Sequence, residues 1–273
     1  MKMKYAIILC LLLLPMIGWG QSEVTHRVTA AEAGYRGPVR QVLTRQTGSL
    51  SGPRRFLVQA ETFNATGLRT GIVTVDSLGR FYTACRYTPD GRLTRAVCGF
   101  PLGREIITFR HNSRGCPVSC YSERYSSEGD GGHESTLFRL ECDDHCRLLL
   151  YLPPWGDSSI YRYDTKGRLA YRALPGAEDY YYYDARGRLV RQRSGWEHYI
   201  DQHFRYDDRG NLTETWHTDW ETGGTVPTPS LEHIRYRYTR YDRHGNWTHA
   251  LMCVELNGQR QFCTLVRTID YYD

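Results

Sequence analysis

The chain is short of lysine. Of its 35 basic residues only Lys2, Lys4 and Lys166 are lysines, and the first two sit at its amino end. Long apolar runs are scarce as well. The one such run, Tyr5 to Leu14, is about half the roughly 20 residues that a spanning helix needs. No stretch carries sustained helical periodicity, and Ala30-Ala-Glu-Ala33 is too short to nucleate alone. No Pro/Ser/Gly linker divides the chain, which excludes an obvious two-domain plan. The H-E-x-x-H, G-x-S-x-G, Walker and Rossmann phrases do not occur, which removes the enzyme classes they mark. Strong charge of one sign is missing too. Without Lys2 and Lys4 the formal charge drops from +5 to about +3, and no nucleic-acid partner is expected.

What is present begins with a leader. Met1-Lys-Met-Lys4, the apolar run, Pro15 and the small-residue pattern Gly18-Trp19-Gly20 read as a signal peptide over residues 1–20. Cys10 lies inside the apolar run behind Leu9, which does not match a lipoprotein site. An exported chain is therefore expected, periplasmic or secreted, with no transmembrane segment after the signal is removed. Residues 21–34 read as an N-terminal tail and 35–273 as one domain.

One phrase recurs: aromatic, Asp or Asn, two residues, Gly, polar, apolar. Its clearest copies are Tyr163-Asp-Thr-Lys-Gly-Arg-Leu169, Tyr183-Asp-Ala-Arg-Gly-Arg-Leu189, Tyr206-Asp-Asp-Arg-Gly-Asn-Leu212 and Tyr241-Asp-Arg-His-Gly-Asn-Trp247. Weaker copies centre on Gly67, Gly79, Gly91 and Gly115. Asp or Asn opens a type I turn and Gly supplies the left-handed residue closing a three-residue hairpin loop. That assigns turn roles to Asp164, Gly167, Asp184, Gly187, Asp207, Gly210, Asp242 and Gly245. On this scheme Asp164 faces Arg168, Tyr163 faces Leu169 and Tyr161 faces Tyr171. Flanks such as Tyr180-Tyr-Tyr-Tyr183 are rich in strand formers. Gly167, Gly187 and Gly210 lie 20 and 23 residues apart, room for two strands and two turns. The expected fold is all-β, an antiparallel meander of consecutive hairpins forming a single layer or a partly curled sheet. Two segments, 122–136 and 221–229, read as excursion loops.

These phrases resemble the YD repeats of the RHS group of bacterial surface and secreted proteins. The stretch from Tyr241 through Asn257-Gly258 to Arg267-Thr-Ile-Asp-Tyr271, with the opening Gly37-Pro-Val-Arg-Gln-Val42, looks like the short exported YD-repeat proteins common in Bacteroidetes. The resemblance spans most of residues 35–273 and specifies fold more than function. Large RHS proteins coil their repeats into a hollow shell around a C-terminal toxin, with a self-cleaving Asp-Pro-x-Gly segment. That segment is missing here and the repeats run to Asp273, so toxin delivery by this chain alone is not expected.

Beyond Cys10 the cysteines are Cys85, Cys98, Cys116, Cys120, Cys142, Cys146, Cys253 and Cys263, an even set that in an exported chain reads as disulfides. Cys253 and Cys263 flank Asn257-Gly258 and are expected to pair across a three-residue loop. The connectivity of the other six stays open. Cys116-x-x-x-Cys120 and Cys142-x-x-x-Cys146, with His145, offer a zinc set as the alternative, although no metal and no cofactor are expected. Cys142-Asp-Asp-His-Cys-Arg-Leu148 also fits the phrase, with Cys146 in the Gly position.

No catalytic residue stands out. Glu197 to His203, with Asp219 and Glu221, concentrates titratable groups, yet a solvated strand and loop explain them as well. The leading expectation is a non-catalytic extracytoplasmic binding or structural module, with a glycan or a cell-surface protein as partner. Trp196, Trp216, Trp220 and Trp247 are its candidate contacts. The same aromatics would equally serve to cover a thin sheet. The alternatives are a cell-wall or glycan hydrolase using Asp219 and Glu221, and an immunity or accessory partner of a separately encoded toxin.

Overall fold

The turn phrase does locally what its residues dictate. In Asp184-Ala-Arg-Gly187 the Asp184 amide donates to the Arg188 carbonyl at 2.9 Å and the Gly187 amide donates back to the Asp184 carbonyl at 3.0 Å. Asp184 Oδ1 accepts from the Arg188 amide and Oδ2 from Arg188 Nε, at 2.9 and 2.7 Å. Gly187 takes φ +84°, open to glycine at little cost. The same loop closes at Asn64, Thr88, Asn112, Asp143, Asp164, Asp207 and Asp242. At the fourth of these turns Cys146 stands in the glycine position with φ 60°.

The computed structural model describes residues 28–48, 58–76, 79–126, 132–195, 198–220, 228–256 and 258–273, so the expected leader over 1–20 lies outside the described residues. Its strands are β1 (Val39–Thr47), β2 (Val58–Phe63), β3 (Arg69–Asp76), β4 (Gly79–Tyr87), β5 (Leu93–Phe100) and β6 (Gly103–His111). Then come β7 (Pro117–Ser126), β8 (His133–Cys142), β9 (Leu148–Leu152), β10 (Ser159–Tyr163), β11 (Leu169–Leu174) and β12 (Ala177–Tyr183). The last six are β13 (Leu189–Gly195), β14 (Tyr199–Tyr206), β15 (Leu212–Trp220), β16 (Thr228–Tyr241), β17 (Trp247–Leu256) and β18 (Gln259–Tyr271). Excursions were expected over 122–136 and 221–229. Residues 117–126 and 133–142 are instead strand, as are 228 and 229.

Each strand pairs antiparallel with the next in sequence, and β18 returns to β1 from Thr47↔Thr264 to Val39↔Tyr271. The meander of hairpins is therefore closed into an 18-stranded barrel, where a single layer or a partly curled sheet was expected. A repeated bulge supplies the reason. Beyond each phrase turn the register slips by one residue: Tyr163 faces Leu169, but Arg162 faces Tyr171 and Tyr161 faces Arg172, not Tyr171. The slip recurs beside Phe63, Tyr87, His111, Cys142, Tyr183, Tyr206 and Tyr241. Bulges bend a sheet and increase its twist, and eight in series bring the last strand round to the first. Closure also removes both free edges.

One assigned copy of the phrase is not one. Asp76 pairs directly with Gly79 in a two-residue hairpin, and this turn joins an odd strand to an even one, whereas all eight phrase turns join even to odd. In a meander that places it at the opposite rim.

The repeats lock to each other side by side. Arg147, Arg168 and Arg188 each hold the Asp of their own turn and stack on the Tyr of the next turn, at 4.8, 4.4 and 4.9 Å from the rings of Tyr163, Tyr183 and Tyr206. In return the hydroxyls of these tyrosines donate to the carbonyls of Leu148, Leu169 and Leu189 in the previous repeat, at 2.9, 2.8 and 2.9 Å. Residues 28–37 carry the chain across the rim where the barrel closes. The Ala30 amide donates to the Gly67 carbonyl, and the Arg36 amide and carbonyl bind the Asn246 side chain, each at 2.8 Å. Residues 28–34, read from sequence as tail, are thus docked against the first turn.

Alternation sorts the two faces. Val42, Ile72, Ala96, Ile107, Phe138, Leu140, Tyr161, Tyr181, Ile234, Met252 and Leu265 point inward and are buried. Exposed outward positions include Arg45, Arg86, Arg104, Arg110, Arg139, Arg162, Arg205, Arg235, Arg237 and Arg260. Some inward polar groups are paired, as in Arg172 with Asp179 at 2.6 Å.

Two outcomes are expected. Gly187→Val should cost more than about 1 kcal/mol in urea unfolding, because a β-branched residue is strained at positive φ, while Arg186→Ala stays near neutral; equal effects would refute the turn geometry. The second concerns acid. Asp164 is held below the usual carboxylate range, first by the Arg168 guanidinium and then by its amide. At Asp184 partial desolvation pulls upward but is outweighed by the Arg188 amide and guanidinium. Folded values below the unfolded one mean that this stability is complete above the unfolded value near 4 and is lost as pH falls through the folded values. The urea midpoint should be flat above about pH 5 and fall below about pH 4, with a shallower fall in Asp164→Asn/Asp184→Asn; identical slopes would show that these carboxylates do not contribute.

Candidate binding surface

Strands β14 to β18 form a grid on the outward face, because direct cross-strand partners share a face. One row runs His203, Trp216, His233, Glu255, Arg260, and the next runs Arg205, Glu214, Arg235, Cys253, Phe262. Charges alternate diagonally between them. Glu214 is held by Arg205 at 2.7 Å, by His233 at 2.6 Å and by Arg235 at 3.2 Å. Glu255 is held by Arg235 at 3.1 Å and Arg260 at 3.0 Å. Partial desolvation works against Glu214, yet the guanidinium and imidazole partners hold it below the usual carboxylate range. Beside the grid, Arg193 clamps Asp201 with two bonds of 2.8 Å, and Asp201 is only 1% exposed despite its outward position.

The four candidate tryptophans do not share a surface. Trp216 faces outward, but His203 stacks on it at 4.9 Å and 5° and the Arg205 guanidinium lies 4.7 Å from the ring centre. An imidazole and a guanidinium of its own neighbours therefore already lie against the ring. Trp247 lies instead among the inward cluster of Ile234, Tyr236, Ala250, Met252, Cys263 and Leu265, with Arg267 at 3.5 Å over its ring. There it fills the core. Trp220 pairs its backbone with Tyr199, while its side chain and Trp196 lie outside the described residues. Asp219 is exposed near the end of β15, and Glu197 and Glu221 lie outside the described residues, so the carboxylates named for hydrolysis are not gathered into a described site.

The cysteines correct the expected pairing. Met252 faces Cys263 and Cys253 faces Phe262, so Cys253 points outward and Cys263 inward, and both are free thiols. The cause is a two-residue loop, Leu256 facing Gln259, where a three-residue loop was expected; a slip of one residue moves a side chain to the other face. A disulfide joins Cys116 to Cys146 across two adjacent turns. That bond divides the tetracysteine zinc set, and no group of three or more metal-ligating side chains forms among the described residues. Burial pushes the Cys98, Cys142 and Cys263 thiols up to about 11 and Cys120 to about 12.

Sequence reasoning missed the residues that complete this surface. Leu251 and Phe262 are outward and 44% and 65% exposed. Their alternation was visible, but the face they occupy depends on the hairpin register.

No family model matches the chain, and no curated protein matches it. Among solved structures the chain is similar to a porin-like protein from Bacteroides uniformis ATCC 8492, with 15% identity and TM-score 0.44, covering 86% of this chain and 99% of that one. It is also similar to TcdB2-TccC3-TEV, with 10% identity and TM-score 0.34, covering 80% of this chain and 16% of that one. A third is the Photorhabdus luminescens Tc holotoxin pore, with 10% identity and TM-score 0.24, covering 83% of this chain and 18% of that one. The chain spans less than a fifth of those toxin chains.

The thiol geometry sets a test. Under native conditions a maleimide should label Cys253 well before Cys263 and Cys120, and digestion without reductant should yield a Cys116–Cys146 linked peptide. A Cys253–Cys263 linked peptide would overturn the register of β17 and β18.

Proposed function

We propose that this chain is a non-catalytic, exported binding module of the YD-repeat kind, a water-facing barrel that meets a partner protein with the outward face of β14 to β18. The observation that carries this reading is the sidedness of the wall. Its buried apolar core points inward and its exposed arginines outward, on β1 and on most of the even strands, and the exposed outward apolar side chains such as Leu137, Leu251 and Phe262 are interspersed with these arginines rather than forming a band. A lipid-facing barrel needs the reverse, an apolar outer band, and an arginine at the bilayer midplane costs about 2–4 kcal/mol. The wall suits water.

A protein partner is favoured over a glycan because stacking on a sugar needs an open aromatic face, and the Trp216 ring already stacks with His203 and lies against the Arg205 guanidinium. The fixed lattice of Arg205, Glu214, Arg235, Glu255 and Arg260 offers pre-oriented charged donors and acceptors instead, which favour specificity and encounter rate. The hydrolase reading has one described carboxylate, Asp219, at an exposed strand end.

The deciding experiment assays the mature protein on glycan and peptide arrays for retention and for product release together. Retention on peptides, reduced at least about tenfold in Arg235→Ala and unchanged in Asp219→Asn, is expected. Turnover lost in Asp219→Asn would replace this reading with the hydrolase. Retention on glycans alone would replace the partner class.

A further inference from the structure

Next to the charge lattice lies a shallow groove lined by Glu214, Arg235, Arg237, Leu251, Cys253 and Phe262. Arg237 faces Leu251 across β16 and β17, and Phe262 faces Cys253 across β17 and β18, so an aliphatic side chain and an aromatic ring stand close together on the outward surface. Both are well exposed, Phe262 at 65%. Large apolar side chains in water at one place mark interaction sites more often than isolated ones do.

The charges around this apolar pair are unequal in their commitments. Glu214 and Glu255 are each already held by two or more cationic side chains. Arg237, Arg240 and Arg45 are exposed and make no ion pair among the described residues. Arg240 faces His249, His249 faces Val266 and Val266 faces Arg45, which places these two guanidiniums in a row bordering the one that holds Arg237 and Leu251. An incoming carboxylate therefore finds free guanidinium donors, well suited to carboxylate geometry, and among the described residues no uncompensated acid opposes it. The closed sheet offers no edge for strand addition, so a partner has to engage side chains.

We propose that the groove between Leu251 and Phe262 is the docking site for an acidic peptide segment. Its apolar side chain sits on Leu251 and Phe262 while its carboxylates bind Arg237 and the flanking Arg45 and Arg240. This deepens, and rests on, the reading of the outward face as a protein-binding surface.

The test titrates the mature protein with a short fluorescent peptide of Asp and Glu around a central Phe-Leu pair. The comparisons are the same peptide with Asn and Gln in place of the acids, and phosphatidylglycerol vesicles. The acidic peptide should bind, more weakly as salt rises, and lose at least about tenfold in affinity in Arg237→Gln and in Phe262→Ser. Both side chains are exposed, so the thermal midpoint should hold. Should Phe262→Ser lower it, Arg237→Gln at unchanged midpoint carries the comparison. The proposal is overturned by absent binding, equal binding of the neutral peptide, affinity unchanged in Arg237→Gln, or binding of vesicles in place of peptide. If the acidic peptide fails while array retention still depends on Arg235, this groove is wrong and the binding reading stands. If retention also fails, both fall.

Discussion

The structure depends on one contact repeated at three consecutive turns: an arginine that holds the aspartate of its own hairpin while lying on the tyrosine ring of the next. Arg168 does both, bonding Asp164 at 2.6 Å and stacking on Tyr183 at 4.4 Å. Each element explains a letter of the recurring phrase. The aspartate closes the loop, the glycine allows the left-handed turn, and the arginine carries the link to its neighbour. The tyrosine hydroxyl then returns a hydrogen bond to a backbone carbonyl next to the bulge. Exposed ion pairs contribute little by themselves, but here the aspartate orients a guanidinium for stacking, and such a stack adds about 0.5–1 kcal/mol or more as it is desolvated.

The bulge turns this local pattern into a global shape. One extra residue beyond each phrase turn curves the sheet in the same sense, and the curvature accumulates over eight copies until β18 meets β1. Closure decides which residues are sheltered. The inward side collects the aliphatic and aromatic core, which a flat single layer would have left open to water, and the outward side keeps the exposed arginines. Residues 28–37 and Asn246 fasten the first and last turns at the seam.

Much of this was legible in the chain. Asp164, Asp184, Asp207 and Asp242 with their glycines sit where the phrase places them, because turn chemistry is local. Gly79 fails the pattern for a non-local reason: it closes a turn at the other rim, with two residues in place of three. Ala170, the residue beyond Leu169 at the slip, carries no compositional mark of the bulge, so closure could not be read. The same one-residue error separates Cys253 from Cys263 and leaves the exposed Phe262 unrecognised. Trp247 and Trp216 looked alike in sequence. Their faces, and hence their roles, follow only from the register and from what packs on each ring.

A curved wall with an apolar inside and an arginine-rich outside has a functional consequence, since specificity has to reside in side chains on a fixed surface. That account stands on closure, and closure is tested most directly at the seam. Leu43 and Thr268 face each other across β1 and β18 on the outward side. In a Leu43→Cys/Thr268→Cys double variant, mild oxidation followed by digestion should give a linked peptide joining the two positions in most molecules. Both positions recovered as free, fully alkylated thiols in a protein that keeps its β signature would show an open sheet and contradict the account.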